Sequence, residues 1–567
     1  MNVHVSLGSD ETSGPVIDAS DADWWRGAVI YQIYPRSFQD ASGDGIGDLA
    51  GIAGRMGYIA SLGVDAIWIS PFYTSPMKDF GYDVADYVDV DPMFGNLADF
   101  DALVTEAHAH GIRVMIDLVV SHTSDRHAWF EESRASRDNP KADWYVWADP
   151  KPDGTPPNNW LSIFGGVGWE WDTRRRQYYL HNFLREQPDL NLHNEEVQEA
   201  VLDVFRFWLD RGVDGFRLDV INFYFHDAAL TDNPPLGENR RNGLLTPDVN
   251  PYNYQDQIHS KNRPENEAFL ERVRGVLDAY SDKGNGTRAA VGEIGDALYS
   301  MELMRAYTSG TKRMQMCYSF DFLSPAPVDA KRAREVIEKF EEGVPDGWVC
   351  WAFSNHDVVR HATRWGEHPK VEGHDAYLRM LAALLLSLRG SVCLYQGEEL
   401  GLGEAELAFE QLQDPYGIQF WPEFKGRDGC RTPMVWEADA HAAGFSTAEP
   451  WLPVPAEHRD LAVSEQEHVP GSLLNHYRRM LAFRRDHPAL AKGTFRFIDV
   501  DEPQVFAFER ERDGTRILCL FNMGDAEIHL DLPEGTGDAV GGHPFAALVE
   551  NGTVTLPPWG AFYAEMN

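Results

Sequence analysis

The ionisable residues best spaced for chemistry sit in four short stretches. "IRVMIDLVVSH" carries Asp117 and His122, "DGFRLDV" carries Arg217 and Asp219, "AAVGEI" carries Glu293, and "GWVCWAFSNHD" ends on His356 and Asp357. Side chains alternate across a strand, so in "DGFRLDV" Arg217 and Asp219 point to one side and Phe216, Leu218 and Val220 to the other. The apolar set can pack under covering helices. The charged pair must face something that rewards charge, and a fixed cation beside Asp219 would keep that carboxylate ionised and nucleophilic. Seven ionisable groups on one rim would repel or misfold unless arranged for chemistry.

Such a rim needs a scaffold. Eight apolar, β-branched or aromatic runs recur along the chain: "AVIYQIYPRSF", "VDAIWISP", "IRVMIDLVVSH", "DGFRLDV", "AAVGEI", "RMQMCYSFDF", "GWVCWAFSNHD" and "GSVCLYQGEEL". Helical patterns such as "NLADFDALVTEAHAHG", "NEEVQEAVLDVFRFWLDRG" and "DAYLRMLAALLLSLRG" lie between them. Strands of this kind alternating with helices indicate a parallel sheet covered outside, and eight of them point to an α/β (β/α)8 TIM barrel. No glycine-rich phosphate fingerprint follows any strand, which disfavours a doubly wound sheet. The ionisable residues fall at the C-terminal strand ends, where barrel enzymes keep their active sites.

The expected division is an acidic lead-in over 1–23, the barrel over 24–122 and 191–485, an inserted subdomain over 123–190, and a C-terminal antiparallel β-sandwich domain over 486–567. The insertion is too long for a structureless loop. In the tail, "RDGTR" is a hairpin signal. A net charge of −39 argues against nucleic acid, and no stretch is long and apolar enough for a membrane helix. The N-terminus lacks the basic start and apolar centre of a signal peptide. Cys317, Cys350, Cys393, Cys430 and Cys519 are odd in number and widely spaced, which suits a reducing, cytoplasmic compartment.

"DLVVSH", "GFRLDV", "GEI" and "SNHD", with "YQIYPRSFQD", "GYDVADY", "QPDLN" and "RTPM", resemble the α-amylase family of glycoside hydrolases in the family's order. Within it they resemble the oligo-1,6-glucosidase and α-glucosidase branch, from about Trp24 onward. The resemblance implies Asp219 as nucleophile, Glu293 as general acid/base and Asp357 as the carboxylate that steadies the transition state. Two carboxyls about 5 to 5.5 Å apart would give a covalent glycosyl-enzyme and retention. His122 and His356 would bond sugar hydroxyls. Asp79 and Tyr82 would hold the terminal glucose, and Arg431 would pair with Asp79 to wall off a blind end. That favours exo action on short α-glucosides, with transglucosylation as a side reaction. Phe164 and Gln187 would reach over the site from the insertion.

In this branch valine directly after the nucleophile goes with α-1,6 cleavage and threonine with α-1,4, so Val220 favours α-1,6, although it also reads as a plain strand residue. "AELAFEQLQDPYGIQFWP" resembles α-glucosidases of broad or short-substrate preference. No cofactor is expected for catalysis. In "DASGDGIGDL", Asp40, Ser42, Asp44, the Ile46 carbonyl and Asp48 take alternate positions of an EF-hand-like loop, and the branch holds a structural Ca²⁺ there, with Mg²⁺ the alternative. Asn is usual at the Ser42 position, and Gly51 stands where the bidentate Glu would be. Expected partners are small α-glucosides, with no nucleic acid or membrane, and the chain acts as monomer or homodimer. Sucrose isomerase and trehalose synthase share the triad, but the isomerase "RLDRD" loop is replaced by "VVRHATRWGEHP". The transporter heavy chains of this fold carry a membrane helix and lack the carboxylates.

Overall fold

The computed structural model describes residues 17, 18, 20–241, 246–281, 286–366 and 374–567. Most of the acidic lead-in lies outside the described residues. Eight parallel strands form one sheet: β1 Val29–Ile33, β2 Ala66–Ile69, β3 Arg113–Leu118, β4 Gly215–Leu218, β5 Ala289–Ile294, β6 Met316–Ser319, β7 Cys350–Ala352 and β8 Ser391–Tyr395. Their spatial order is β6-β5-β4-β3-β2-β1-β8-β7. A parallel bridge between Cys317 and Val349 joins the two ends, so the sheet closes into a barrel. These are the eight apolar runs of the sequence.

Alternation along the strands separates two cores. Phe216 and Leu218 of β4 face outward into the large core shared with the helices, as do Val114 and Ile116 of β3. Trp68, Met115, Val291 and Met316 face inward with Trp24, Trp25 and Trp348, which plug the N-terminal end of the barrel. That plug leaves the C-terminal rim as the open end. Covering helices start on side-chain caps: Asn96 and Asp99 form a capping box for Leu97–Ala109, and Asn194 caps Glu195–Asp210.

Between β3 and the helix Glu195–Asp210 the chain leaves the barrel. It forms a helix, Ala128–Ala135, and a three-stranded antiparallel sheet of Trp147–Ala148, Gln177–Leu180 and Trp169–Asp172. Bridges His122 to Asp189 and Tyr145 to Leu190 close the stem of this excursion. From Thr494 a five-stranded and a three-stranded antiparallel sheet enclose a separate core that includes Leu518, Leu530, Val554 and Phe562. In the hairpin at "RDGTR", Arg512 pairs with Thr515, and Asp513 and Gly514 both take left-handed conformations (φ 52° and 83°), as a tight two-residue turn requires. All five cysteines are buried thiols. No helix among the described residues is long and apolar enough to cross a membrane.

Candidate functional site

Strand register makes the first contact. Asp117 of β3 stands opposite Arg217 of β4, and Glu293 of β5 opposite Tyr318 of β6. Arg217 is fully buried and serves three carboxylates. Its Nη1 donates to Asp117 Oδ1 at 2.8 Å and to Asp219 Oδ1 at 2.5 Å, and its Nη2 donates to Glu293 Oε2 at 2.6 Å. Nη2 also reaches the Tyr318 hydroxyl at 2.7 Å, and the guanidinium lies 4.9 Å from the Trp68 ring centre. With every donor aimed, the fork fixes all three acids in one geometry.

One cation among three buried anions leaves uncompensated negative charge, so protons are held tightly. Burial pushes Asp117 up to about 6, Asp219 to about 7 and Glu293 to about 8, against the pull of Arg217. Arg217 therefore does not keep Asp219 at an ordinary carboxylate value, as the sequence suggests. Arg217 pulls both values down without overcoming burial, and the higher of the two falls on Glu293. Glu293 Oε2 also accepts from the Val220 N–H at 3.1 Å, a bond made possible by a left-handed Val220 (φ 34°, ψ 54°). Val220 thus departs from the expected outward set. Regular strand ends at Leu218, and the reversal turns Val220 into the wall of the pocket.

Asp357 behaves differently. Burial would raise it, but His356, Arg427 and Arg431 outweigh that and hold it well below the usual carboxylate range. Burial keeps the His356 imidazole neutral, so the two arginines are what maintain the charge. Arg427 Nη1 and Arg431 Nη2 reach Asp357 Oδ1 at 3.2 and 3.0 Å. The His356 ring stacks on Tyr82 (centroids 5.3 Å, 7° between planes). Its Nε2 meets the Tyr82 hydroxyl at 2.5 Å, and that hydroxyl donates to Asp117 Oδ2 at 2.9 Å.

The expected partner of Asp79 needs correction. Asp79 Oδ1 accepts from Arg427 Nη2 at 2.8 Å, not from Arg431. Arg431 lies deeper, its Nε spent on the His356 carbonyl at 2.7 Å and its Nη2 on Asp357. Arg427 is fixed from behind by Asp414 through Nε (3.0 Å) and Nη2 (2.8 Å). The two arginines flank one short turn, Asp428–Cys430. From the insertion, Gln187 Nε2 donates to Asp79 Oδ2 at 3.2 Å and lies 3.2 Å from His122 Nε2, while the Phe164 ring lies 5.2 Å from the Arg427 guanidinium. Burial lowers His122 to about 4, so it is neutral, and its Nε2 donates to the Tyr82 carbonyl at 3.1 Å.

One pocket brings Asp79, Tyr82, His122, Asp219, Glu293 and Asp357 together, with Phe164, Val220 and Arg427 in its walls. Arg217, His356 and Arg431 lie behind that surface and position it. Arg427, Asp414 and Tyr318 were not singled out in the sequence. The only signal was a second arginine in "GRDGCRTP", four residues before Arg431.

The Asp40–Asp48 loop stands apart. Asp40 accepts from the Gly43 and Gly45 amides (2.6 and 2.8 Å) and from Ser446 Oγ (2.5 Å), while Asp48 caps the helix Leu49–Gly54 through the Gly51 amide (2.6 Å). Asp44 accepts from the Ile46 amide at 2.9 Å. Among the described residues no three His, Cys, Asp or Glu side chains converge as a metal cage. Ser42 Oγ stands 3.1 Å from Asp40 Oδ1, however, a spacing that two oxygens on one hard cation would share.

Comparison with known proteins agrees with this geometry. The alpha amylase catalytic domain model matches residues 32–493, and the maltogenic amylase C-terminal domain model matches 495–563. The chain is similar to a probable alpha-glucosidase of Rhizobium meliloti (strain 1021), 60% identical over 98% of this chain and 99% of that one. It is also similar to an oligo-1,6-glucosidase of Heyndrickxia coagulans, 38% identical over 90% and 94% of the two chains. Among solved structures, the alpha-glucosyl transfer enzyme XgtA superposes with a TM-score of 0.91 at 54% identity, covering 96% of this chain and 99% of that one. Barrel, carboxylate cluster and likeness along nearly the whole chain converge on one conclusion: the protein belongs to the α-amylase family of glycoside hydrolases, beside relatives named α-glucosidase and oligo-1,6-glucosidase.

Proposed function

We propose that the protein is a retaining, exo-acting α-glucosidase that releases α-glucose from the non-reducing end of short α-glucosides. The observation that carries this reading is the pair Asp219 and Glu293, bonded to one guanidinium, with the higher proton affinity on Glu293. In the first step an Asp219 oxygen attacks the anomeric carbon while Glu293 gives its proton to the leaving oxygen. Glu293 Oε2 is occupied by Arg217 and Val220, which leaves Oε1 for that transfer. In the second step Glu293, now a carboxylate, takes a proton from water, whose oxygen displaces Asp219. Two inversions give retention. Asp357, kept ionised by Arg427 and Arg431, faces the positive charge that develops on the sugar ring.

The Asp79–Arg427 pair supports exo action, because it forms an end wall beyond the glucose. Val220 supports a preference for α-1,6 over α-1,4 linkages. A covalent intermediate open to hydroxyls other than water supports transglucosylation, as does likeness to a protein named an alpha-glucosyl transfer enzyme. The loop would hold a structural Ca²⁺ or Mg²⁺ through Asp40, Ser42, Asp44 and the Ile46 carbonyl, with Asp48 acting through water. It takes no part in catalysis. Five buried thiols support a reducing compartment.

A proton NMR time course on maltose and isomaltose together tests the reading. α-Glucose should appear first and isomaltose should be lost faster; β-glucose first would overturn the mechanism. Asp219→Asn should abolish turnover of both sugars.

A further inference from the structure

Asp79 and Tyr82, the two residues that would hold the glucose, are the first and last of one tight turn. The Tyr82 N–H donates to the Asp79 carbonyl at 3.0 Å, and both residues between them take positive φ, Phe80 at 51° and Gly81 at 107°. That is the pattern of a type I′ turn, in which asparagine, aspartate or glycine normally stands first. Gly81 suits it, because a Cβ there would stand 2.8 Å from the Pro71 carbonyl oxygen. Phe80 does not suit it: a bulky side chain at positive φ is strained and persists only where its surroundings demand it. Its ring packs between Trp451, with centres 5.4 Å apart, and the Arg36 guanidinium at 5.1 Å. Met77, two residues before Asp79, is a second strained position (φ 60°).

Asp83 closes this segment. Its side chain is fully buried and takes no part in the pocket wall. Oδ1 accepts from the Asp79 N–H and from Ser75 Oγ, both at 3.0 Å, and Oδ2 accepts from the Lys78 N–H at 2.9 Å. Ser75 Oγ in turn accepts from the Met77 N–H at 2.9 Å. Burial raises Asp83 to about 6, so above neutrality it is a carboxylate with only acceptors to offer. Three donors from the chain entering the turn thus meet one anion placed directly after it. Tyr82 has separate anchors for its hydroxyl in Asp117 and His356. The main chain of Asp79 is held by Asp83.

We infer that Asp83 is the positioning residue for Asp79: it holds the strained turn, and so keeps the Asp79 carboxylate on Arg427 and Gln187 in the pocket, without touching the sugar. This rests on the α-glucosidase proposed above. An Asp83 that only stabilised the fold would lower Tm, and its effect on activity would be independent of Asp79.

Asp83→Asn tests the inference. The amide offers one oxygen where the carboxylate offers two, so the Lys78 or the Asp79 N–H would face an NH2 group. With p-nitrophenyl α-glucoside as substrate, kcat/KM should fall about tenfold or more. In an Asp79→Asn background that loss should vanish, leaving the double variant within about twofold of Asp79→Asn alone, because residues that act through one another are not additive. Losses that multiply, or an Asp83→Asn enzyme within twofold of wild type, would overturn the inference. Where Asp83→Asn does not fold, Ser75→Ala decides. It removes one of the three bonds and should cost several-fold in kcat/KM, again only while Asp79 is present. A loss within twofold, or one that persists with Asp79→Asn, would overturn the inference. Wild-type enzyme that leaves both this glucoside and maltose intact would instead overturn the parent reading, and the inference with it.

Discussion

Arg427 Nη2 donates to Asp79 Oδ1 at 2.8 Å across 348 positions of sequence. The same guanidinium reaches Asp357 and is locked by Asp414, so one side chain ties Asp79 to Asp357. Arg427→Ala would leave Asp79 and Asp414 as buried anions without their cation, and kcat/KM on maltose should fall by roughly 10²-fold or more. Arg427→Lys should recover little, because a point charge cannot serve three carboxylates as a planar fork does. Kinetic constants within twofold of wild type for the alanine variant would remove Arg427 from the site.

Activity should peak near neutrality. As the proposed nucleophile Asp219 would have to be ionised, and with its value raised to about 7 activity should be lost as pH falls through that point. As the proposed general acid Glu293 would have to be protonated, and with its value at about 8 activity should be lost as pH rises through it. The kcat/KM profile should therefore be a bell between these limbs. In Glu293→Gln, assayed with an aryl glucoside whose leaving group needs no proton, the alkaline limb should vanish. A limb that persists belongs to another group.

The same raised value has a consequence for stability. Folded Glu293 binds its proton more tightly than an unfolded glutamate, whose pKa is about 4.3. Its contribution is full below the unfolded value and is lost as pH rises towards about 8, where folding must bury the charge. Glu293→Gln should accordingly raise Tm relative to wild type more at pH 9 than at pH 5. Calorimetry at both pH values checks this, and an equal shift would mean that Glu293 carries no such penalty.

The barrel was legible because each strand is a short apolar run between helical patterns, and the rim because its acids fall where those runs end. What escaped depended on depth and dihedral angle. Arg427 and Arg431 flank one turn four residues apart, and spacing does not say that Arg431 runs inward to the His356 carbonyl while Arg427 meets Asp79. Strand alternation misplaces Val220 because β4 ends two residues earlier. Tyr318, an aromatic within an apolar strand, reads as core although its hydroxyl is a ligand of Arg217.

Chelation should separate stability from chemistry. With a cation on Asp40 and Ser42, prolonged dialysis against EDTA should lower Tm by a few degrees, and added Ca²⁺ should restore it. At 25 °C kcat should not change, because the loop contributes nothing to the pocket. If Tm is indifferent to EDTA and to Ca²⁺, the Gly43, Gly45 and Ser446 hydrogen bonds to Asp40 suffice to hold the loop.

The Val220 N–H donates to Glu293 Oε2 at 3.1 Å, so on the proposed function one residue would serve both linkage preference and the acid/base group. A β-branched residue at φ 34° costs about 1–3 kcal/mol, a strain retained where surrounding structure requires it. Here it aims the Val220 N–H at Glu293 while the residue lines the pocket. Val220→Thr preserves shape and N–H, so the pH profile should be unchanged. It adds a hydroxyl to an apolar wall, and the ratio of kcat/KM on isomaltose to that on maltose should fall by roughly tenfold, about 1.4 kcal/mol of discrimination. A shifted alkaline limb would show that the side chain, not only the amide, tunes Glu293. A ratio within twofold of wild type would move linkage choice away from Val220.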